Sequence, residues 1–162
     1  MSYWKNLLNN LLLRRKEALQ MKIAIGNDHA GVEFKNKMMK ELRSKGYEIV
    51  NVGTDTLDSV DYPDIAKEVS KKVLDEEVNF GILICGTGIG ISIAANKIKG
   101  IRAALCHNEY TAKLSRLHNN ANIIALGARV LGEDLGLACV EAFVNTEFEG
   151  GRHAKRVGKI EL

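Results

Sequence analysis

The sequence predicts an α/β protein: a three-layer α/β/α sandwich around a five-stranded parallel sheet, in a single domain. Three observations carry this. From Met21 onward, short apolar runs alternate with longer segments whose apolar residues recur every three or four positions. The run Gly81-Ile-Leu-Ile-Cys85 has no polar face, the pattern of a strand covered by helices on both sides. The chain has 162 residues, 46% hydrophobic and 27% charged, with one proline, which is enough apolar mass for one core and too regular for a disordered or linker-rich chain.

Residues 22–26 read as the first strand. Residues 30–45 follow as a helix, with Phe34, Met38, Met39 and Leu42 at helical spacing and Gly46 as its stop. Residues 47–52 form the second strand, and a polar loop, 53–61, ends at Tyr62-Pro63. Pro63 suits the first turn of a helix, whose apolar stripe is Ile65, Ala66, Val69, Val73 and Leu74. Strand three, 81–85, runs into the glycine-rich turn Gly86-Thr-Gly-Ile-Gly90 and then a small-residue helix through Ala94 and Ala95. Residues 101–105 and 123–126 are strands four and five, with helices at 110–117 and 135–144 after them. Right-handed β-α units in this order make a Rossmann-like sheet, which binds ligands at the carboxyl ends of its strands. The polar residues expected there are Asn27-Asp28-His29, Cys85 to Gly90, His107-Asn108 and, just before strand five, His118-Asn119-Asn120.

Charge and cysteine content exclude several classes. The formal charge is +3, and that excess sits in the first twenty residues, where Lys5, Arg14, Arg15 and Lys16 face Glu17 alone. Residues 21–162 are therefore formally neutral, unlike the body of a nucleic-acid binder. No apolar stretch is long enough to span a membrane. Cys85, Cys106 and Cys139 form no CxxC pair, so neither a disulfide framework nor a zinc site is expected, and a reduced, cytoplasmic setting fits. Residues 1–20 carry leucines at 7, 8, 11, 12 and 13 interrupted by Asn9 and Asn10. They read as a short amphipathic extension or as sequence from an upstream start, with the domain covering 21–162.

The turn Cys85-Gly-Thr-Gly-Ile-Gly90 is the most informative segment. Its three glycines let backbone N–H groups converge, and the helix that follows adds its positive end, which suits an anion or a developing oxyanion. A dinucleotide fingerprint would need glycine where Ile91 stands, and a P-loop would need a lysine that is missing from Gly90-Ile91-Ser92. A tight turn with no ligand is the plain alternative. Cys85 at this helix N-terminus is either a packed thiol or a thiolate base or nucleophile. Asp28 is a helix cap or a ligand-facing carboxylate, with His29 beside it, and His118 is a partner of a helix C-terminus or an acid-base group. Arg152 and Arg156 lie four apart, on one helix face, either as a solvated tail or as a fork for a phosphate monoester.

Taken in order, these segments resemble the type B ribose-5-phosphate isomerases, in the wider group that holds the bacterial galactose-6-phosphate isomerase subunits. The matching residues are Gly26-Asn-Asp-His-Ala-Gly31, Asp61-Tyr62-Pro63, the run from Ile84 to Lys97, Gly100-Ile-Arg-Ala103, Leu114-Ser-Arg-Leu-His-Asn119, Ala125-Leu-Gly-Ala-Arg129 and Glu149-Gly-Gly-Arg-His153. The likeness runs from Met21 to about Leu162. It implies interconversion of an aldose phosphate and a ketose phosphate through an enediolate, with no metal and no coenzyme. By that resemblance Cys85 is the base, Thr87 orients the exchange, and the N–H groups of Gly86, Thr87, Gly88, Ile89 and Gly90 hold the enediolate oxygens. His118 opens the furanose ring. Asp28, His29, Tyr62 and Asn119 bind the sugar, and Arg129, Arg152 and Arg156 hold substrate, the last two chiefly its phosphate. A branch of the family uses glutamate as base; this chain keeps Cys85. The resemblance further implies a homodimer, often paired into a tetramer, with each site shared between two subunits, and a small sugar phosphate as the partner rather than nucleic acid or membrane. A six-carbon substrate (allose 6-phosphate or galactose 6-phosphate) and a non-catalytic sugar-phosphate-binding module are the competing readings.

Overall fold

The computed structural model describes Leu7 and residues 21–161; the rest of the 1–20 extension lies outside them. Five strands form one sheet: β1 (Lys22–Asn27), β2 (Glu48–Asn51), β3 (Phe80–Cys85), β4 (Ala103–Leu105) and β5 (Ile123–Gly127). Their order is β2-β1-β3-β5-β4 and every pairing is parallel, so the expected three-layer architecture is the observed one. Among the described residues from 21 onward, six α-helices cover the sheet: α1 (Val32–Ser44), α2 (Tyr62–Leu74), α3 (Ile89–Asn96), α4 (Glu109–Asn119), α5 (Glu133–Val144) and α6 (Arg152–Ile160). Among the described residues no helix is long and apolar enough to cross a membrane.

Alternation along the central strand splits the core into two. Ile82 and Ile84 face a cluster with Phe34, Met38 and Leu42 of α1 and Cys139, Val140 and Phe143 of α5. Leu83 and Cys85 face the other layer, with Ala66 and Val69 of α2 and Ile91 and Ala95 of α3. Each fully buried isoleucine or leucine contributes about 1.5–3 kcal/mol, so both faces of β3 are tightly determined.

Two expected elements differ in detail. The helix after β1 opens with a 3-10 turn, His29–Gly31, because the Asp28 carboxylate accepts from the Ala30 N–H at 2.9 Å and ends the extended chain there. Strand β4 begins at Ala103 rather than Ile101, since the Ile101 N–H turns back to Ile98 O and the Arg102 N–H goes to the Asn122 side chain.

Lys35 is the least expected member of the core. It sits on the apolar face of α1, completely buried, and its ammonium donates to Thr54 O at 2.7 Å and pairs with Asp55. The pair, helped by the Asn51 amide, holds the Asp55 carboxyl below its ordinary range. The 53–61 loop is thereby fastened beside the end of β1. Lys35→Met should lower stability by about 1–3 kcal/mol, read as a fall in urea midpoint at unchanged m-value. Because the Asp55 pKa is depressed on folding, its contribution is present above pH 3.8 and should fade as the pH falls below that.

Candidate active site

At the carboxyl end of β3 the chain turns sharply. Cys85 is the last residue of the strand, and its Sγ accepts the Gly88 N–H at 3.1 Å. Gly88 has φ +77°, a left-handed conformation that folds the amide back onto the sulfur and starts α3. A side chain there would also come 2.6 Å from Leu105 Cδ1 and 2.9 Å from the Leu126 carbonyl carbon. The sulfur thus sits at the positive end of α3 with a backbone donor aimed at it. Thr87 is exposed at the tip, and its Oγ1 accepts the Ile89 N–H at 3.3 Å. The turn's donors are thus divided. Gly88 serves the sulfur, Ile89 serves the threonine, and Gly90, in the first turn of α3, has no carbonyl one helical turn behind it.

Four predicted residues surround this turn. Tyr62, first residue of α2, lays its ring across Gly90, where an added Cβ would lie 2.7 Å from Cζ. Arg129, just past β5, donates its backbone N–H to Gly86 O at 2.9 Å and runs its side chain along Gly86. The Asp28 N–H bonds Ile84 O at 3.1 Å, which brings the end of β1 against the end of β3. The Asp28 carboxylate caps the 3-10 turn, and its backbone borders the Cys85 turn. His29 Nδ1 accepts the Val60 N–H at 3.4 Å, which leaves the proton of the neutral ring on Nε2.

His118 and Asn119 do not share this end, contrary to their grouping with the carboxyl-end loops. They close α4, and residues 120–122 then enter β5, so they lie at the amino end of the sheet. Cys85 pairs with Gly127 at the other end of β5, about 13 Å of strand away. A residue just before a parallel strand and one just after its neighbour cannot meet within one chain. The second group is compact. His118 and His153 stack with centroids 4.2 Å apart and planes within 6°. The Glu149 carboxylate lies 3.8 Å from Nε2 of both rings. Arg152 donates its Nε–H to His153 Nε2 at 3.5 Å, and Arg156 follows one turn later on α6, as the spacing predicts. Burial, then the charges of His118 and the two arginines, push the His153 pKa down. His118, Glu149 and His153 have the composition of a metal-ligand set, with donor atoms within 4.8 Å of one another. A guanidinium bonded to His153 and a second one on the same helix make the surroundings better suited to a phosphate than to a cation.

Between the two groups lies apolar surface. Ile89 and Ile93 of α3 are 52% and 55% exposed, and all three residues of the edge strand β4 are only half-buried. A cavity of about 600 Å³ opens at the amino end of β4, lined by Ala103, Ala104, Asn119, Ala121 and Ile160 among others.

The family profile described as ribose/galactose isomerase matches residues 23–160. The chain belongs to that family. It is 48% identical over 139 residues to ribose-5-phosphate isomerase B of Escherichia coli, covering 86% of this chain and 93% of that one. It is 45% identical over 141 residues to D-erythrulose-4-phosphate isomerase of Pectobacterium atrosepticum, with coverage of 86% and 93%. The solved structure of Clostridium thermocellum ribose-5-phosphate isomerase B superposes with a TM-score of 0.86 at 55% identity, covering 87% of this chain and 95% of that one. Members of this ribose/galactose isomerase family are sugar-phosphate isomerases, and the chain is an enzyme of that class. Sequence reasoning gave no role to Lys35, Arg116 or Glu149. The signal for the first two was a cation at a helix position otherwise apolar, at 35 beside 38, 39 and 42, and at 116 one turn after 112.

Gly88→Ala should cost about 2–4 kcal/mol and abolish most turnover, because it combines a left-handed backbone with contacts to two strands. Iodoacetamide should label Cys85 before Cys106 and Cys139, read by peptide mass mapping. Burial pushes the Cys106 thiol up and the Cys139 thiol to about 11. The depressed His153 pKa means that stability is full above pH 6.5 and declines as the pH falls below it. His153→Phe, which keeps a stacked ring without a charge, should therefore reduce the wild-type drop in Tm between about pH 7 and about pH 5.

Proposed function

We propose that the protein interconverts D-ribose 5-phosphate and D-ribulose 5-phosphate, with Cys85 as the base and His118 as the ring-opening group. The observation that carries the reading is the Gly88 N–H aimed at Cys85 Sγ at the mouth of an oxyanion-type turn. The thiolate takes the proton from C2 of the open-chain aldose, electrons flow to the C1 oxygen, and the resulting enediolate sits against the turn. The O2 proton passes to O1, and return of a proton from the Cys85 thiol, which can exchange with solvent, to C1 as the C2 oxygen collapses to a carbonyl gives the ketose. Atoms and electrons balance with no redox partner, and the reading calls for no cofactor. Thr87 orients the exchange, and backbone donors of the turn, with Gly86 and Gly90 among them, hold the enediolate oxygens; one such donor is typically worth ~10²–10³ in rate. Asp28, His29, Tyr62 and Arg129 line the sugar.

His118, Asn119, Arg152 and Arg156 complete the site from a second copy. The separation of the two groups along β5 and the exposed Ile89 and Ile93 beside the Cys85 turn support a two-fold homodimer in which each site draws on both subunits. In that arrangement the arginines take the phosphate and His118 transfers the ring-oxygen proton, a task suited to imidazole. The free cysteines fit a cytoplasmic setting, in pentose phosphate metabolism. The Pectobacterium relative favours a second substrate, the four-carbon ketose phosphate.

Turnover of tetrose, pentose and hexose phosphates by the purified protein tests the reading; the highest kcat/KM should fall on ribose 5-phosphate, and a higher value on any other substrate overturns it. Cys85→Ala should lose at least ~10³ in kcat with KM little changed, and a variant with wild-type turnover would overturn Cys85 as the base. Arg152→Ala and Arg156→Ala should raise KM about tenfold or more. His118→Ala should slow turnover of ribose 5-phosphate while sparing Cys85-dependent exchange of the C1 hydrogen of ribulose 5-phosphate with heavy water. Ribulose 5-phosphate, with O5 esterified, has no furanose to open.

A further inference from the structure

The proposed mechanism uses His118 but not the buried cation two residues before it. Arg116 is 8% exposed, and among the described residues its hydrogen-bond partners are uncharged oxygens. Its Nη1 donates to Ala121 O at 2.6 Å and to Asn120 Oδ1 at 2.8 Å, and its Nε donates to Thr146 O at 3.2 Å. The guanidinium lies over the Phe80 ring at 4.7 Å and near that of Phe143 at 5.7 Å. Burial, and the nearby charge of Arg102, push its pKa down. A guanidinium placed this deep without a carboxylate is costly unless its donors are used, and here Nε and Nη1 are used on two segments at once, the 120–121 turn and the chain at Thr146.

Those two segments present the second half of the site. Asn120 closes α4 in the left-handed conformation, φ +46°, with its N–H on Arg116 O and its side chain on the Arg116 guanidinium. Ala121 leads into β5. Thr146 begins the connection to α6, and three residues later the Glu149 N–H bonds Leu117 O at 3.1 Å. That connection delivers the Glu149 carboxylate to both imidazoles.

We infer that Arg116 is a positioning residue for ring opening, fixing the turn after α4 and the Glu149 segment so that the His118 imidazole is aimed at the substrate. Lysine cannot replace it, because one ammonium cannot serve acceptors spread along a planar fork. Misplacement of a catalytic group by about 1 Å can cost ~10² in rate. The inference rests on the reading of His118 given above.

The test compares Arg116→Lys, Asn120→Gly and His118→Ala on two readouts, turnover of ribose 5-phosphate and heavy-water exchange at C1 of ribulose 5-phosphate. A purely structural loss would lower both together. Arg116→Lys should lose about tenfold or more in kcat on ribose 5-phosphate with exchange within about twofold of wild type, the split expected for His118→Ala. Asn120→Gly keeps the left-handed turn and deletes one acceptor, so it should show the same split at a few-fold size; it decides the matter if Arg116→Lys does not fold. Equal losses on both readouts, or an intact ribose 5-phosphate rate, while His118→Ala shows the split, overturns the role of Arg116. A His118→Ala variant without the split removes the ring-opening reading first, and the inference with it.

Discussion

All five strands run the same way, and that single constraint gives the molecule two chemically different ends. At the carboxyl end the β3 strand stops on a sulfur, and the chain reverses through a left-handed glycine that returns an amide to it. At the amino end the last turn of α4 carries His118, which stacks on His153 and faces the Glu149 carboxylate, with Arg152 and Arg156 on α6 nearby. The length of β5 keeps them apart. Neither end alone holds both a base for carbon and an acid-base group beside a phosphate fork, which is why the proposed reaction is read across two copies.

The electrostatics follow the same division. Positive character at the carboxyl end comes from backbone dipoles and Arg129, a diffuse field suited to an enediolate whose charge moves between two oxygens. At the amino end it comes from guanidinium groups, which suit the fixed charge of a phosphate ester. In the second group burial, and after it the neighbouring His118, Arg152 and Arg156 charges, hold the His153 pKa down.

Most of the fold was legible because each strand is an apolar run and each helix an apolar stripe. The Cys85–Gly90 turn was legible because its glycines have no other local use than a reversal. What sequence order hid was the third dimension. His118 and Asn119 stand just before a strand, and in a parallel sheet that places them at the end away from Cys85. Lys35 and Arg116 escaped notice because a charged side chain is ordinarily read as solvated, whereas both are interior and bind loop carbonyls. Asp28 read as either cap or ligand; its carboxylate caps Ala30 while its backbone joins β1 to β3 beside the site.

The most direct test of a site divided between copies is complementation. Cys85→Ala and His118→Ala proteins, each impaired on ribose 5-phosphate, are mixed, unfolded and refolded together. A mixed dimer carries one site with both groups intact, so random pairing should restore about a quarter of wild-type turnover. Activity that stays at the level of the separate variants, with mixed dimers shown to be present, would contradict the account.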